Sequence, residues 1–157
     1  MKIRVLKPEE VEQVGNALGL ARLYQGTGFY LVAWRGDEPA GHLHLALTDP
    51  PELQDVQVAA GHRRRGVAKM LIAAAEREAR ARGFTRIRVD VAIDNYPAQA
   101  LYRTSGFSDI GLDPRPVTGT IVIRTGPIEV DDVLITWGKD LTEPLGPRSP
   151  GGAELMR

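Results

Sequence analysis

The run Gly61-His62-Arg63-Arg64-Arg65-Gly66-Val67-Ala68 puts three arginines and a glycine directly ahead of an apolar-periodic segment. A helix opening at Gly66 would present unpaired N–H groups and the positive end of its dipole, so backbone alone could hold much of a phosphate there. Gly66 removes the Cβ that would obstruct such an anion, and Ala68 keeps the next position small. Arg63, Arg64 and Arg65 would add charge-assisted bonds, with Val67 and Lys69 in the same first turn. The same residues also describe a solvated basic turn. The Gly-Lys-Ser/Thr of a Walker loop and the three spaced glycines of a dinucleotide fingerprint are both missing.

A second set of residues follows in Asn95-Tyr96-Pro97-Ala98-Gln99-Ala100-Leu101-Tyr102-Arg103-Thr104-Ser105-Gly106-Phe107. On its own it reads as a helix with Asn95 at its start, Pro97 early, Tyr102 packed inward and Gly106 as the stop. Two carboxylates, Glu52 and Asp55, lie on the segment before the basic run. Alternation along a strand would put them on opposite faces, so that only a bulge could bring both to one cavity. Glu52 is a candidate general base, although a solvated carboxylate after a Pro-Pro turn would look the same. His42 and His44 share a strand face, but without a third ligand nearby they read as a polar or substrate-facing surface rather than a metal site.

These groups need a scaffold. Ile3 and Val5 alternate with Lys2 and Arg4 as a short strand, and Pro8-Glu9-Glu10 precede Val11, Val14 and Leu18 at helical spacing. Phe29 to Trp34, the turn residues Gly36-Asp37-Glu38-Pro39, and Leu43, Leu45 and Leu47 form a hairpin pattern. Glu52 to Val58 reads as a strand. A helix from about Gly66 to Arg82 would bury Val67, Met70, Leu71, Ala74, Ala75 and Ala79, with Lys69, Glu76, Arg77, Arg80 and Arg82 turned to solvent. Ile87, Val89 and Val91 alternate into a strand, a short helix runs from about Pro97 to Thr104, and Thr120 to Ile123 and Val133 to Trp137 read as strands divided by Gly126-Pro127 and Asp131-Asp132. Strand, helix, strand, helix is the pattern of a parallel crossover, whereas the hairpin is antiparallel, so a mixed sheet is expected. Trp34 and Trp137 read as core aromatics.

Across 157 residues, 20 basic side chains balance 20 acidic ones. That length fits one domain, here residues 1–141, and a neutral balance gives no global field toward nucleic acid or an anionic membrane. A Pro/Gly-rich segment, 142–157, is expected to be a flexible tail. The absence of Cys excludes disulfides, thiolate zinc sites and a cysteine nucleophile. With no signal peptide pattern and no apolar run near the ~20 residues of a membrane span, a cytoplasmic protein is expected.

Taken together and in this order, the two motifs resemble those of the GCN5-related N-acetyltransferase (GNAT) superfamily. Its Gln/Arg-x-x-Gly-x-Gly/Ala is matched by Arg63, Gly66 and Ala68, and its Asn-x-x-Ala-x-x-Leu-Tyr-x-x-x-Gly-Phe by Asn95, Ala98, Leu101, Tyr102, Gly106 and Phe107. The resemblance covers about Ile3 to Phe107 well and the last third loosely. It implies an α+β fold with a mixed, mostly antiparallel central sheet and helices on both faces, in which strand 53–58 splays from strand 87–91. The pantetheine arm of acetyl-CoA would lie in that gap against the backbone of Val56, Gln57 and Val58. Asn95 would hydrogen-bond the arm further along, with Ala98 also among the cofactor-binding residues, and the basic loop would take the diphosphate. It further implies that Tyr102 protonates the departing thiolate, and it puts Glu52 at the position of the base in histone-type members. The expected activity is acetyl transfer from acetyl-CoA, without a metal, to a primary amine of a small molecule in a ternary complex. A protein acetyltransferase acting on lysine or an N-terminal amine, and a CoA-binding sensor without turnover, are the alternatives. The implied partners are acetyl-CoA and an amine acceptor, not nucleic acid or a membrane, and the protein is expected as a monomer or homodimer. Acceptor choice is expected to depend on the Gly19–Gly28 and Asp113–Asp132 segments.

Overall fold

The computed structural model describes residues 1–21, 23 and 27–142. Part of the Gly19–Gly28 segment, and the expected tail beyond Thr142, lie outside the described residues. The elements are β1 (Lys2–Val5), a 3-10 turn (Pro8–Glu10), α1 (Val11–Leu18), β2 (Phe29–Arg35), β3 (Glu38–Ala46), β4 (Glu52–Val58), a second 3-10 turn (Ala60–His62), α2 (Val67–Ala81), β5 (Arg86–Ala92), α3 (Tyr96–Thr104), β6 (Ser108–Asp109), β7 (Arg115–Ile123) and β8 (Gly126–Asp140). The strands form one sheet in the order β1-β2-β3-β4-β5-β8-β6, with β7 paired to β8. Among the described strands only β4 and β5 pair in parallel. The sheet is thus mixed and mostly antiparallel. No described helix is long and apolar enough to cross a membrane.

Alternation along β2 divides the core in two. Leu31 and Ala33 join the larger cluster under α2 and α3, which holds Val67, Leu71, Ala75, Ala79, Val89, Tyr102 and Phe107. Tyr30, Val32 and Trp34 face the other way, onto Val14 of α1 with Leu20 and Leu23. Helices therefore cover both faces. Both tryptophans are buried, Trp34 with the α1 cluster and Trp137 with the larger one.

Three readings of the sequence need correction. Glu76 is 3% exposed rather than turned to solvent. Its carboxylate accepts a 2.9 Å hydrogen bond from Lys139 Nζ of β8, which also donates to the Ser105 carbonyl. A helix-face pattern cannot reveal a lysine 63 residues away that makes burial of an acid tolerable. Met70, expected inside, is 37% exposed. Gly126-Pro127 and Asp131-Asp132 do not divide two short strands: they belong to β8, which pairs with β7 from Gly126–Ile123 through to Leu134–Arg115. Pro127 carries no N–H but sits near the hairpin end, and Asp131 and Asp132 lie on a stretch of largely exposed ribbon where charge costs little.

Candidate active site

At the end of β4 the chain makes a 3-10 turn and enters α2 through Gly66, whose φ of +76° is in the left-handed region that favours glycine. Nothing lies within 4 Å of where a Gly66 Cβ would stand. The first intrahelical bond runs from Met70 N to Gly66 O, so the N–H groups of Val67, Ala68 and Lys69 have no helical acceptor. A cavity of about 310 Å³ opens over them, lined by Val58, Arg63, Gly66, Val67, Ala68 and Leu101. Open backbone donors beside the exposed Arg63, Arg64 and Arg65 fit a diphosphate. Arg63 is partly committed already: its Nε donates to the Val58 carbonyl at 3.2 Å and ties the loop to the strand.

β4 and β5 pair only at Glu52–Arg88 and Leu53–Val89. Beyond Leu53 the β5 side of β4 has no strand partner among the described residues, so Val56, Gln57 and Val58 border a gap; the Val58 carbonyl takes the Arg63 bond, and the other backbone groups on that edge are open to an extended amide-bearing ligand. Asn95 stands at the start of α3, where its Oδ1 accepts the Ala98 N–H at 3.2 Å as a helix cap. Tyr102, from the same helix, is 7% exposed and packs edge-on against Phe107. Its hydroxyl makes no hydrogen bond within the described residues. Burial, aided by the Asp55 charge, pushes the phenol up to about 12, so it stays a proton donor at any ordinary pH.

The α1 face of the sheet carries a polar network. His42 pairs with Gln57 and His44 with Gln54, so β4 has one residue more than β3 in this interval. The extra residue is accommodated as a bulge at Asp55, with φ of +50°. Strict alternation would have put Asp55 opposite Glu52; the bulge instead turns it toward Arg124, at the turn between β7 and β8. Arg124 Nη1 donates to Asp55 Oδ2 at 2.8 Å, and its Nε donates to the Tyr30 hydroxyl at 3.1 Å. The Tyr30 ring lies 4.6 Å from that of His44, whose Nδ1 donates to Gln54 Oε1 at 2.9 Å. Gln54 Nε2 in turn donates to Glu52 Oε1 at 2.9 Å. Across the β4–β5 pairing Glu52 neighbours Asp90, close enough for the two carboxyls to influence each other's titration. Asp90 is held by Thr136 at 2.7 Å and Arg115 at 2.9 Å.

The two carboxyls are pushed apart. Burial and the neighbouring Asp90 charge raise Glu52 above the usual carboxylate range, against the Gln54 hydrogen bond. Against the effect of its own burial, hydrogen bonds from Thr136 and Arg115 hold Asp90 below that range. Glu52 is therefore the member of the pair that takes up a proton. Of the residues singled out in the sequence, the structure brings Val58, Arg63, Gly66, Val67 and Ala68 around one cavity, puts Glu52 at the narrow end of the splay, and buries Tyr102 in the larger core cluster beside Phe107. Asp90, Gln54, Tyr30, Thr136, Arg115 and Arg124 are additions. Asp90 stood in plain sight as the polar residue between Val89 and Val91, but nothing in sequence pairs it with Glu52.

The Acetyltransferase (GNAT) family profile matches residues 5–107. The chain is 34% identical over 112 residues, 65% of this chain and 74% of the relative, to the uncharacterized N-acetyltransferase YsnE of Bacillus subtilis. It is 38% identical over 68 residues to the streptothricin acetyltransferase of Streptomyces lavendulae, a match that spans 43% of this chain and 36% of that enzyme. The crystal structure of the ribosomal-protein-S18-alanine N-acetyltransferase from Escherichia coli superimposes with a TM-score of 0.68 over 91% of this chain and 95% of its own. At 16% identity it shares the fold. The chain belongs to the GNAT family, and it is an acetyl-CoA-dependent N-acetyltransferase.

Proposed function

We propose that the enzyme acetylates the primary amine of a small molecule by direct attack in a ternary complex, with Glu52 as general base and Tyr102 as general acid. The observation that carries this reading is the contrast in proton affinity around β4: a carboxyl raised by burial and Asp90, and a phenol held protonated. In the reaction the amine nitrogen forms a bond to the thioester carbonyl carbon and the C–S bond breaks. Glu52 takes the nitrogen's proton, directly or through water, and Tyr102 supplies one to the sulfur; solvent exchange then resets both groups. Asp55 is the weaker candidate base because Arg124 already pairs with it. The diphosphate would rest on the N–H groups of Val67, Ala68 and Lys69 with Arg64 and Arg65, and the arm along Val56 to Val58 past Asn95 and Ala98. Similarity to streptothricin acetyltransferase supports a small-molecule acceptor.

The test is thiol release from acetyl-CoA with a panel of small primary amines set against lysine-containing and free N-terminal peptides. Turnover with small amines at kcat/KM well above the peptides is expected. Turnover confined to peptides would overturn the acceptor class, and CoA binding without turnover on either set would make the protein a sensor.

A further inference from the structure

A second cavity, of about 270 Å³, lies on the α1 face, walled by Ala17, Leu18, His42, Gln57, Ala59 and Arg63. Val58 and Arg63 border it and the phosphate-loop cavity alike. His42 is 1% exposed, and neither ring nitrogen has a hydrogen-bond partner within the described residues; Nε2 is fully enclosed. Leaving such a group unpaired is costly, so a polar side chain kept bare beside a cavity points to something that bonds to it there. Its neighbour on the same strand face, His44, is satisfied by Gln54, whereas His42 lines the cavity.

The chemistry of the walls selects the ligand. Arg63 is the charged side chain of the lining, Gln57 brings an amide, and the cavity has no acid of its own. The nearby Asp55 is neutralised by Arg124 at 2.8 Å. Burial holds the His42 imidazole neutral, down to about 4, so it offers one N–H donor without competing charge. An arginine, an amide and a neutral imidazole complement a carboxylate and offer nothing to a second ammonium group. The alanine and leucine walls suit a methylene chain. His42 stands four residues along β3 from Ala46, the register partner of Glu52, about 13 Å at ~3.3 Å per residue. An acceptor reaching both must carry its amine and its carboxylate at opposite ends.

We infer that the α1-face cavity is the specificity subsite for the acceptor's far end, with His42, Gln57 and Arg63 binding the carboxylate of a linear ω-aminocarboxylate whose amine is acetylated near Glu52. This rests on the small-molecule reading above.

The experiment compares 6-aminohexanoate, 6-aminohexanamide, hexylamine and 1,6-diaminohexane as acceptors for the wild-type enzyme and for His42→Leu. Wild type should favour 6-aminohexanoate by at least ~10-fold in kcat/KM. In His42→Leu that preference should shrink toward unity through KM, with kcat on hexylamine retained. Equal or better turnover of hexylamine or the diamine by wild type overturns the subsite while leaving the small-molecule reading intact, as does a preference that survives His42→Leu. Turnover of peptides alone overturns both. A second readout needs no variant to fold: titrating 6-acetamidohexanoate onto 15N-histidine-labelled enzyme should move the His42 ring resonances and leave those of His62 in place. Unmoved His42 resonances at millimolar ligand overturn the proposal.

Discussion

The two sides of β4 are built by different means. On the side we assign to the cosubstrate, the proposed phosphate loop is made of consecutive residues, would work through backbone N–H groups, and needs from its side chains mainly that Gly66 and Ala68 stay small. On the acceptor side, Glu52, Gln54, His44, Tyr30, Arg124, Asp55, Asp90 and Thr136 come from strands β2, β3, β4, β5 and β8 and the β7–β8 turn, and touch only because the sheet folds. A ligand shared by a whole family can be held by geometry that any compatible sequence reproduces. A ligand peculiar to one enzyme is met by side chains that differ from chain to chain. The contrast is open to attack from both sides.

The largest effect should appear in stability, and only on the acceptor side. The His42 pKa is about 4 when folded, lowered mainly by burial, against about 6.5 when unfolded. The unfolded chain therefore binds a proton that the folded one refuses. Stability present above pH 6.5 is lost as the pH falls through 4, by an amount on the order of 3 kcal/mol. His44 is lowered too, again mainly by burial, and acts with the same sign. Urea midpoints at pH 7, 5.5 and 4.5 should fall in wild type and fall less in His42→Leu. Parallel declines in the two proteins would show that the imidazole is not held neutral.

Next in size are the catalytic substitutions. Tyr102→Phe deletes one hydroxyl from a packed ring, so kcat should drop roughly 100-fold or more while CoA affinity holds. Glu52→Gln should abolish the ascending limb of kcat/KM against pH measured on one acceptor, because the proton acceptor is gone while the hydrogen bond to Gln54 can be kept. Asp55→Asn should leave that limb in place. If Asp55→Asn removes it and Glu52→Gln does not, the two carboxylates have been assigned the wrong way round. On the other side of β4, Gly66→Glu would put a charged side chain into a left-handed backbone position beside the diphosphate. CoA binding should weaken at least ~10-fold, about 1.4 kcal/mol, by calorimetry; unchanged affinity in a folded variant would undo the phosphate-loop reading.

How much of this could be read in sequence follows from the same contrast. The loop and α3 were legible because their residues are neighbours: Arg63, Gly66 and Ala68, then Asn95, Ala98 and Tyr102, carry their spacing with them. The splay of β4 from β5 came from the family resemblance and is present as two register pairs and no more. The bulge at Asp55 was not legible, since a bulge is decided by the partner strand. Nor was the Glu52–Asp90 pair, which depends on the start of β4 meeting the middle of β5. Glu76 misled for the same reason: its partner Lys139 lies on the last strand. The Asp131-Asp132 pair looked like a break because charge near a proline is turn chemistry, yet on an exposed ribbon it is compatible with a continuous strand.

The smallest effect concerns Arg124, which lashes the β7–β8 turn over the acceptor face. Its carbonyl accepts the Ala21 N–H, its guanidinium lies over the Tyr30 ring at 5.4 Å, and it pairs with Asp55. The two side chains are 17% and 21% exposed, so screening by solvent limits their coupling to at most ~1 kcal/mol. Arg124→Met keeps the long apolar stem over Tyr30 while removing the charge. It should raise KM for the amine a few-fold, because Asp55 is then left unpaired beside His42, and it should leave KM for acetyl-CoA unchanged, because the partners of Arg124, namely Ala21, Tyr30 and Asp55, lie outside the proposed phosphate loop. A double-mutant cycle with Asp55→Asn separates the ion pair from the packing: a coupling of a few tenths of a kcal/mol or more assigns the effect to the pair. A coupling of zero with the same change in KM would mean that the turn acts by shape alone. An equal rise in KM for acetyl-CoA would erase the division between the two sides of β4.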